Sequence, residues 1–348
     1  MKSTSEIEIS ELHERLNHDS LNTDLMNQIA LAYFENSELK SNSEDYKYFK
    51  QAYDTNRTIK SIHNYAWFLY FEWSELHHGF STNNPICKEA LEIQRMVQEL
   101  EPKSFYPHYQ LGYMLIDQNK YKESLRHLQK SAALDKRKDI HHNLAFGYLR
   151  TGDFIRAKSV LDEIDKEKDL ENTALYNLTL CNLKLGKKQE SNNNIKKLNS
   201  YIEENVHKTI SGYEIAQIHS TIGDYDLALN CMQKQGIQGI HLLDWPMLSY
   251  ATYQSDKDIW LEELNRSIEW RQNLVQKFKE GTESEDGYTD SERKERLIEL
   301  VAEIKQIKRA IITEPQKPSI ELKDLSVTDY CGCLLFGCKT HGNIKNDE

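Results

Sequence analysis

Proline and glycine are scarce in this chain, 6 and 14 among 348 residues. So few helix breakers, beside 39% hydrophobic and 28% charged residues, leave a soluble, helix-rich chain with a well-solvated outer face as the natural reading. A basic surplus is missing too. With 44 Lys and Arg against 55 Asp and Glu, the formal net charge is -11, and no basic face is available to displace counterions from a phosphate backbone. Nucleic acid is therefore not an expected partner. No apolar run is long enough to span a membrane, and residues 1–14 are polar and acidic rather than signal-like, so the expected location is the cytoplasm.

Catalytic signatures are absent as well. There is no phosphate loop, Gly-x-Ser-x-Gly elbow, His-Glu-x-x-His pair or dinucleotide fingerprint, and the expectation is that the chain is not an enzyme. His77 with His78, and His141 with His142, are sequence neighbours whose side chains leave a helix in different directions, which weakens any joint metal role. Three of the six cysteines, Cys87, Cys181 and Cys231, are scattered singly through helical stretches, as free thiols in a reducing compartment are.

What the chain does have is a repeat. Within 105–164, Tyr109, Leu111, Gly112, Leu115, Tyr121, Leu125, Leu128 and Ala132 are followed by a second series, His142, Leu144, Ala145, Tyr148, Gly152, Phe154, Ala157 and Leu161. Leu111 and Leu144 stand 33 residues apart. Small residues at Gly112, Ser124, Ala145 and Ala157 fall where two helices would have to cross closely, and a period of this length marks a stacked helical array. Further copies follow at Asn172 to Leu198, with Gly186 placed 34 residues after Gly152, and at Thr209 to Gln235, where Gly223, Asp224, Tyr225 and Ala228 repeat the turn and crossing.

Upstream, Asn64, Tyr65 and Ala66 stand where Asn143, Leu144 and Ala145 stand later, but the unit at 58–102 carries extra residues around 72–85 that must bulge as a loop. The divisions expected are a capping helix at 1–22, an array of five to six repeats at 23–240, a closing segment with a helical hairpin at 241–313, and an extended tail at 314–348. Pro246 suits a first helical turn with Asp244 as its cap, Thr289 and Glu292 form a capping box, and Pro315 and Pro318 stop the last helix.

This spacing resembles the tetratricopeptide repeat (TPR) family, and the segment from Leu242 onward looks like the one that closes many bacterial TPR arrays. The resemblance implies an all-α fold, a right-handed superhelical α-solenoid of helix-turn-helix repeats. It also implies that the first helix of each repeat lines a concave groove. The groove residues so placed are His63, Trp67 and Tyr70; Tyr106, Tyr109 and Tyr113; His142 and Phe146; and Tyr176, with Asp117, Arg150 and Lys184 as the charges available to orient a ligand. Such an aromatic surface suits a protein or peptide partner, because rings bury large areas at low entropy cost. The family's carboxylate clamp is disfavoured, since His142 and Phe146 stand where it needs a lysine and an asparagine. A non-enzymatic scaffold or adaptor is the function this implies.

The tail holds a second constellation. Cys331, Cys333, Cys338 and His341 offer three thiolates and an imidazole within eleven residues, a ligand set suited to zinc. Leu334, Leu335 and Phe336 make the same segment apolar, so groove docking, lipidation of a thiol and a labile disulfide are competing readings. The rival functions are thus a metal-binding protein, with zinc as its cofactor, and an accessory subunit of an enzyme complex. Because a tether keeps the tail at high local concentration, binding of the tail in the chain's own groove is a further expectation.

Overall fold

A computed structural model describes residues 4–35, 43–74, 84–164, 168–203, 212–234, 246–280, 289–317 and 334–338, and every regular element among them is helical. None of the described helices is long and apolar enough to cross a membrane. The chain divides into two compact units, Met1–Leu170 with Ser326–Glu348, and Glu171–Leu325.

In the first unit, α1 (Thr4–His18) packs on α2 (Thr23–Glu35), and four helix pairs follow. They are α2 with α3 (Glu44–Thr55), α4 (Ile59–Phe68) with α5 (Pro85–Glu99), α6 (Phe105–Asp117) with α7 (Tyr121–Leu134), and α8 (Lys138–Arg150) with α9 (Phe154–Glu163). Helix starts follow local chemistry. Asn84 accepts a hydrogen bond from the Ile86 amide with Pro85 as the first residue of α5, and Ser104 does the same for Tyr106 at the head of α6. Thr58 and Ser61 form a reciprocal capping box on α4.

The interhelix turns share one device. Asn119, Gly152, Gly186 and Gly223 are left-handed, with φ of 57°, 81°, 73° and 96°. In each case the next amide (Lys120, Asp153, Lys187, Asp224) donates back to a carbonyl five residues earlier, at 2.8 to 2.9 Å. Nothing lies within 4 Å of a Cβ built on Gly152, so the backbone conformation and not lack of space selects glycine there. Asn119 fills the same position without being glycine, which asparagine tolerates better than other side chains do.

Close helix crossing selects the small residues. A Cβ on Gly112 would lie 2.8 Å from Leu128, and the Ser124 hydroxyl donates to the Gly112 carbonyl at 2.7 Å. Ala145 and Ala157 are fully buried. The extra residues after α4 begin with a π-helical turn, Leu69–Trp73, which continues the helix and buries Leu69 and Tyr70; residues 75–83 of the expected loop lie outside the described residues.

The second unit contains α10 (Lys168–Lys184, counted with this unit from Glu171), α11 (Lys188–Glu203), α12 (Gly212–Ile222), α13 (Tyr225–Lys234), α14 (Pro246–Ser255), α15 (Lys257–Glu280) and α16 (Asp290–Thr313). Its core gathers Ala216, Ala228, Met232, Leu248, Ala251, Trp260, Leu264, Ile268 and Ile307. The Trp260 indole N–H donates to Ser249 at 2.9 Å, and buried Arg271 pairs with Glu303 across the α15–α16 hairpin at 2.6 Å. Pro246 opens α14 and the Thr289–Glu292 capping box opens α16, while Asp244 lies outside the described residues.

The Gly112 crossing gives a stability test. Gly112→Ala overpacks against Leu128 and is expected to cost about 1 to 3 kcal/mol in urea unfolding, and Leu128→Ala alone about 2 to 5 kcal/mol. The double variant should lose less than the two losses added together, because the truncated Leu128 leaves room for the new methyl. Strict additivity would mean that the two residues do not share this crossing.

Candidate functional site

The middle of α4 carries two polar side chains, His63 and Asn64, both fully buried. A buried polar group without a partner costs free energy comparable to a lost hydrogen bond or more, and the partners of these two come from the far end of the chain. The His63 Nε2 donates to the Leu334 carbonyl at 2.8 Å. Asn64 meets one residue twice: its Oδ1 accepts from the Phe336 amide at 2.8 Å, and its Nδ2 donates to the Phe336 carbonyl at 3.1 Å. Thus a single side-chain amide pairs with both backbone groups of Phe336, much as an adjacent strand would. Asn64 is oriented for this by Asn27 of α2, whose Oδ1 accepts from Asn64 Nδ2 at 3.2 Å and whose own Nδ2 donates to the Thr23 carbonyl at 2.8 Å.

The ring state of His63 follows from its neighbours. A carbonyl can only accept, so Nε2 carries the proton toward Leu334 and Nδ1 is left to accept from Gln94 Nε2 at 3.4 Å. Gln94 is fixed in that orientation because its Nε2 also donates to the Pro107 carbonyl at 3.1 Å and its Oε1 accepts from Gln110 Nε2 at 2.8 Å. Gln110 donates in turn to the His63 carbonyl at 3.3 Å. Burial pushes the His63 pKa down to about 4, the hydrogen bond to Leu334 opposing that shift only in part. The imidazole is therefore neutral near neutral pH, as a ring with an amide donor facing its second nitrogen should be.

Apolar contacts complete the seat. Leu334, Leu335, Phe336 and Cys338 are all buried. The Phe336 ring stands edge-on to His63, with centroids 4.7 Å apart, and edge-on to Tyr106 at 5.7 Å. The segment turns sharply: the Cys338 amide donates to the Leu335 carbonyl at 3.3 Å, and Gly337 in between has φ of 86°. A Cβ on Gly337 would approach Leu31 Cδ1 of α2 to 3.3 Å. Tyr106 sits beside Arg137, whose guanidinium is held by Asp139 in a two-pronged pair at 3.1 and 2.9 Å.

The other residues expected to line a groove are distributed as follows. Trp67 is buried one helical turn beyond His63, in edge contact with Phe34 at 5.7 Å, and Tyr113 is tilted against Phe71 at the same centroid distance. Tyr70 and Asp117 meet in a hydrogen bond of 3.2 Å, and burial together with the Asp117 charge pushes the Tyr70 phenol up. Tyr109 is fully buried and its hydroxyl accepts from Asn143 Nδ2 at 2.8 Å. His142 is fully buried on α8. Phe146 packs against Tyr121, with the Arg150 guanidinium over both rings at 5.0 and 5.2 Å. Tyr176 and Lys184 belong to the second unit, where the Tyr176 hydroxyl donates to Gln217 at 3.3 Å and Lys184 is exposed at the end of α10.

His63 and Tyr106 are thus brought together around one phenylalanine, while Asn64, Asn27, Gln94 and Gln110 are contributors that the aromatic groove pattern missed. For Asn64 a signal existed, since it occupies the repeat position of Asn143. Of the thiol and imidazole set in the tail, Cys338 is buried in the seat, and Cys331, Cys333 and His341 lie outside the described residues. Among the described residues no three His, Cys, Asp or Glu side chains gather as a metal site.

No family model and no curated protein matches the chain. Solved structures similar to it include yeast Tom70, at 12% identity and a TM-score of 0.43 over 88% of this chain and 60% of that one. The apo form of RapI matches at 14% identity and a TM-score of 0.46, over 88% of this chain and 81% of that one. Cut9, from the APC/C hetero-tetramer Cut9–Hcn1, matches at 13% identity and a TM-score of 0.42, over 87% and 58%. The chain therefore spans about 60% of the Tom70 chain. Helices paired through left-handed turns at a spacing of 33 to 34 residues from Asn119 to Gly186 make this an all-α helical-repeat protein that resembles the TPR family.

Proposed function

We propose that the chain is a non-enzymatic, cytoplasmic scaffold that binds a protein partner, and that the inward face of α4 and α6 is its peptide-binding site, held in this state by the chain's own tail. The observation that carries this reading is the double pairing of Asn64 with the backbone of Phe336. A side chain buried at the centre of a helical repeat, with both its amide oxygen and its amide nitrogen bonded to another segment's main chain, is a recognition device for peptide backbone. His63 adds a third backbone contact, and His63 and Tyr106 together form the slot for the Phe336 ring.

Tail seating can be read from the Cys338 thiol, which is buried with the segment. In full-length protein, maleimide labelling mapped by peptide mass spectrometry should find Cys338 slow. Asn64→Ala should speed it by about tenfold or more, since removing the paired amide is worth on the order of 1 to 3 kcal/mol, while helicity by circular dichroism stays unchanged. Labelling of Cys338 at the same rate in both proteins would place the tail outside the site. Partner binding has its own test. A protein captured from the native host by full-length bait should be retained when the tail is opened by Phe336→Asp and lost when Asn64→Ala is added; retention in all three would move the partner to another face.

The buried neutral His63 also predicts an acid response. Its folded pKa lies below the ordinary value of 6.5, so the unfolded chain binds a proton that the folded chain refuses. Stability is then complete above pH 6.5 and falls as the pH drops from there toward 4. Between pH 7 and pH 5 the loss specific to His63 should be about 2 kcal/mol. Urea unfolding of wild type and His63→Gln at both pH values reads it as the difference between the two pH dependences; parallel losses would mean that His63 titrates as an exposed histidine does.

A further inference from the structure

The way the tail fits its seat says what kind of segment the seat accepts. Leu334, Leu335 and Phe336 are consecutive, and each is buried to within 1% of full. In an extended strand neighbouring side chains point to opposite faces, so three buried in a row require either enclosure on both sides or a change of direction. Here the change of direction comes at once, at Gly337, with the Leu335 carbonyl receiving the Cys338 amide. Positive φ at the third position of such a turn favours glycine, and a Cβ at Gly337, whose φ is 86°, would make a tight 3.3 Å contact with Leu31 Cδ1. Asn64 requires an N–H on the residue before that glycine, which excludes proline there, and His63 requires a carbonyl two residues earlier still. The slot between His63 and Tyr106 takes an aromatic ring by its edge. None of the residues from Leu334 to Cys338 carries a charged side chain.

Resting on the peptide-site reading above, we propose that the seat is specific for a short uncharged turn of the pattern apolar–apolar–Phe–Gly, and that a partner protein enters by presenting the same turn in place of the tail. Most of the polar recognition is through main chain, so the two leading positions tolerate exchange among Leu, Ile, Val and Met. Phenylalanine and glycine are the two fixed letters. The tail, being tethered, competes at an effective concentration that no free peptide of equal intrinsic affinity matches at micromolar levels. Opening the site therefore needs either a better turn or many copies of it.

The test uses full-length chain carrying Phe336→Asp, which unseats the tail, and fluorescent peptides followed by anisotropy in reducing buffer. The parent peptide is acetyl-Leu-Leu-Phe-Gly-Cys-amide. Three others change one feature each: the Gly337→Ala and Phe336→Ala counterparts, and the parent with an N-methyl group on phenylalanine, which removes the hydrogen donated to Asn64. The opened protein should bind the parent at least tenfold more tightly than any of the three, and the wild-type chain, with its tail in place, at least tenfold more weakly than the opened one. Adding Asn64→Ala should abolish parent binding.

Equal affinity for all four peptides would overturn the proposed pattern and leave a general peptide site standing. Binding of none of them by an opened protein of wild-type helicity would overturn the site itself. If Phe336→Asp lowers helicity, Gly337→Val supplies a second way to open the seat, with the same outcomes. Equal binding by wild-type and opened chains would show that the tail does not compete. The same turn is also present on a second copy, so a concentration-dependent dimer of the wild-type chain in sedimentation, dissolved by Asn64→Ala, would assign the seat to exchange between copies and overturn the partner.

Discussion

Much of the first unit depends on satisfying polar groups that its repeat interior buries. His63, Asn64, Gln94 and Gln110 are all fully buried, and each has hydrogen-bonding capacity that hydrocarbon cannot meet. Gln110 donates to Gln94 and Gln94 to the Pro107 carbonyl, and that arrangement dictates which nitrogen of His63 must look for an acceptor. His63 and Asn64 then face a shared requirement: partners from outside their own helix pair. The backbone of Leu334 and Phe336 supplies them. Replaced by apolar side chains of similar shape, the same positions would need no segment at all. Polar character at the centre of this surface is what gives the backbone of Leu334 and Phe336 hydrogen-bond partners there.

Helix geometry makes that seat possible. The left-handed turns at Asn119 and Gly152 return the chain sharply enough for consecutive helices to pair, and at Gly112 and Ser124 α6 meets α7 closely, with the Leu128 side chain lying on Gly112. Because α6 is held this closely, Tyr106 at its head and His63 on α4 stand at either side of one ring. The neutral state of His63 belongs to the same picture, for a charged imidazole would set two donors against each other at Gln94 and would strand a charge in the interior. Apolar burial and polar satisfaction thus select the same occupant, a turn whose main chain is exposed on the side that α4 reads.

The second unit is built differently. Its core is dominated by large side chains, with Trp260 at the centre and the long α15–α16 hairpin closing over it. Its one deeply buried cation, among the described residues, is Arg271, matched by Glu303 and by Ser267 one turn earlier on its own helix. A buried guanidinium with its partner in place fixes the register of the hairpin more than it adds to stability. The amide-rich interior of the first unit bonds to the backbone of a distant segment, and the tryptophan-centred interior of the second packs helices on one another.

How much of this the sequence by itself determined follows the range of the interactions involved. Local chemistry sufficed for the helix pairs, for the turns at Gly152, Gly186 and Gly223, for Pro246 at a helix start and for the Thr289–Glu292 capping box, because each rests on residues a few places apart. The repeat spacing placed Gly112 and Ala157 at crossings for the same reason, since a fixed period repeats a fixed contact. The π-helical turn at Leu69–Trp73 escaped such reading, and so did the left-handed Asn119, because neither departs from an ordinary helical or turn composition. The seat was out of reach altogether in its details. Asn64 and Phe336 are 272 residues apart, and nothing in either neighbourhood says that one side-chain amide will face one peptide unit. Sequence pattern could nominate an apolar tail and an aromatic face; only the packing of α2, α4 and α6 around a shared polar network decided which backbone groups they would exchange.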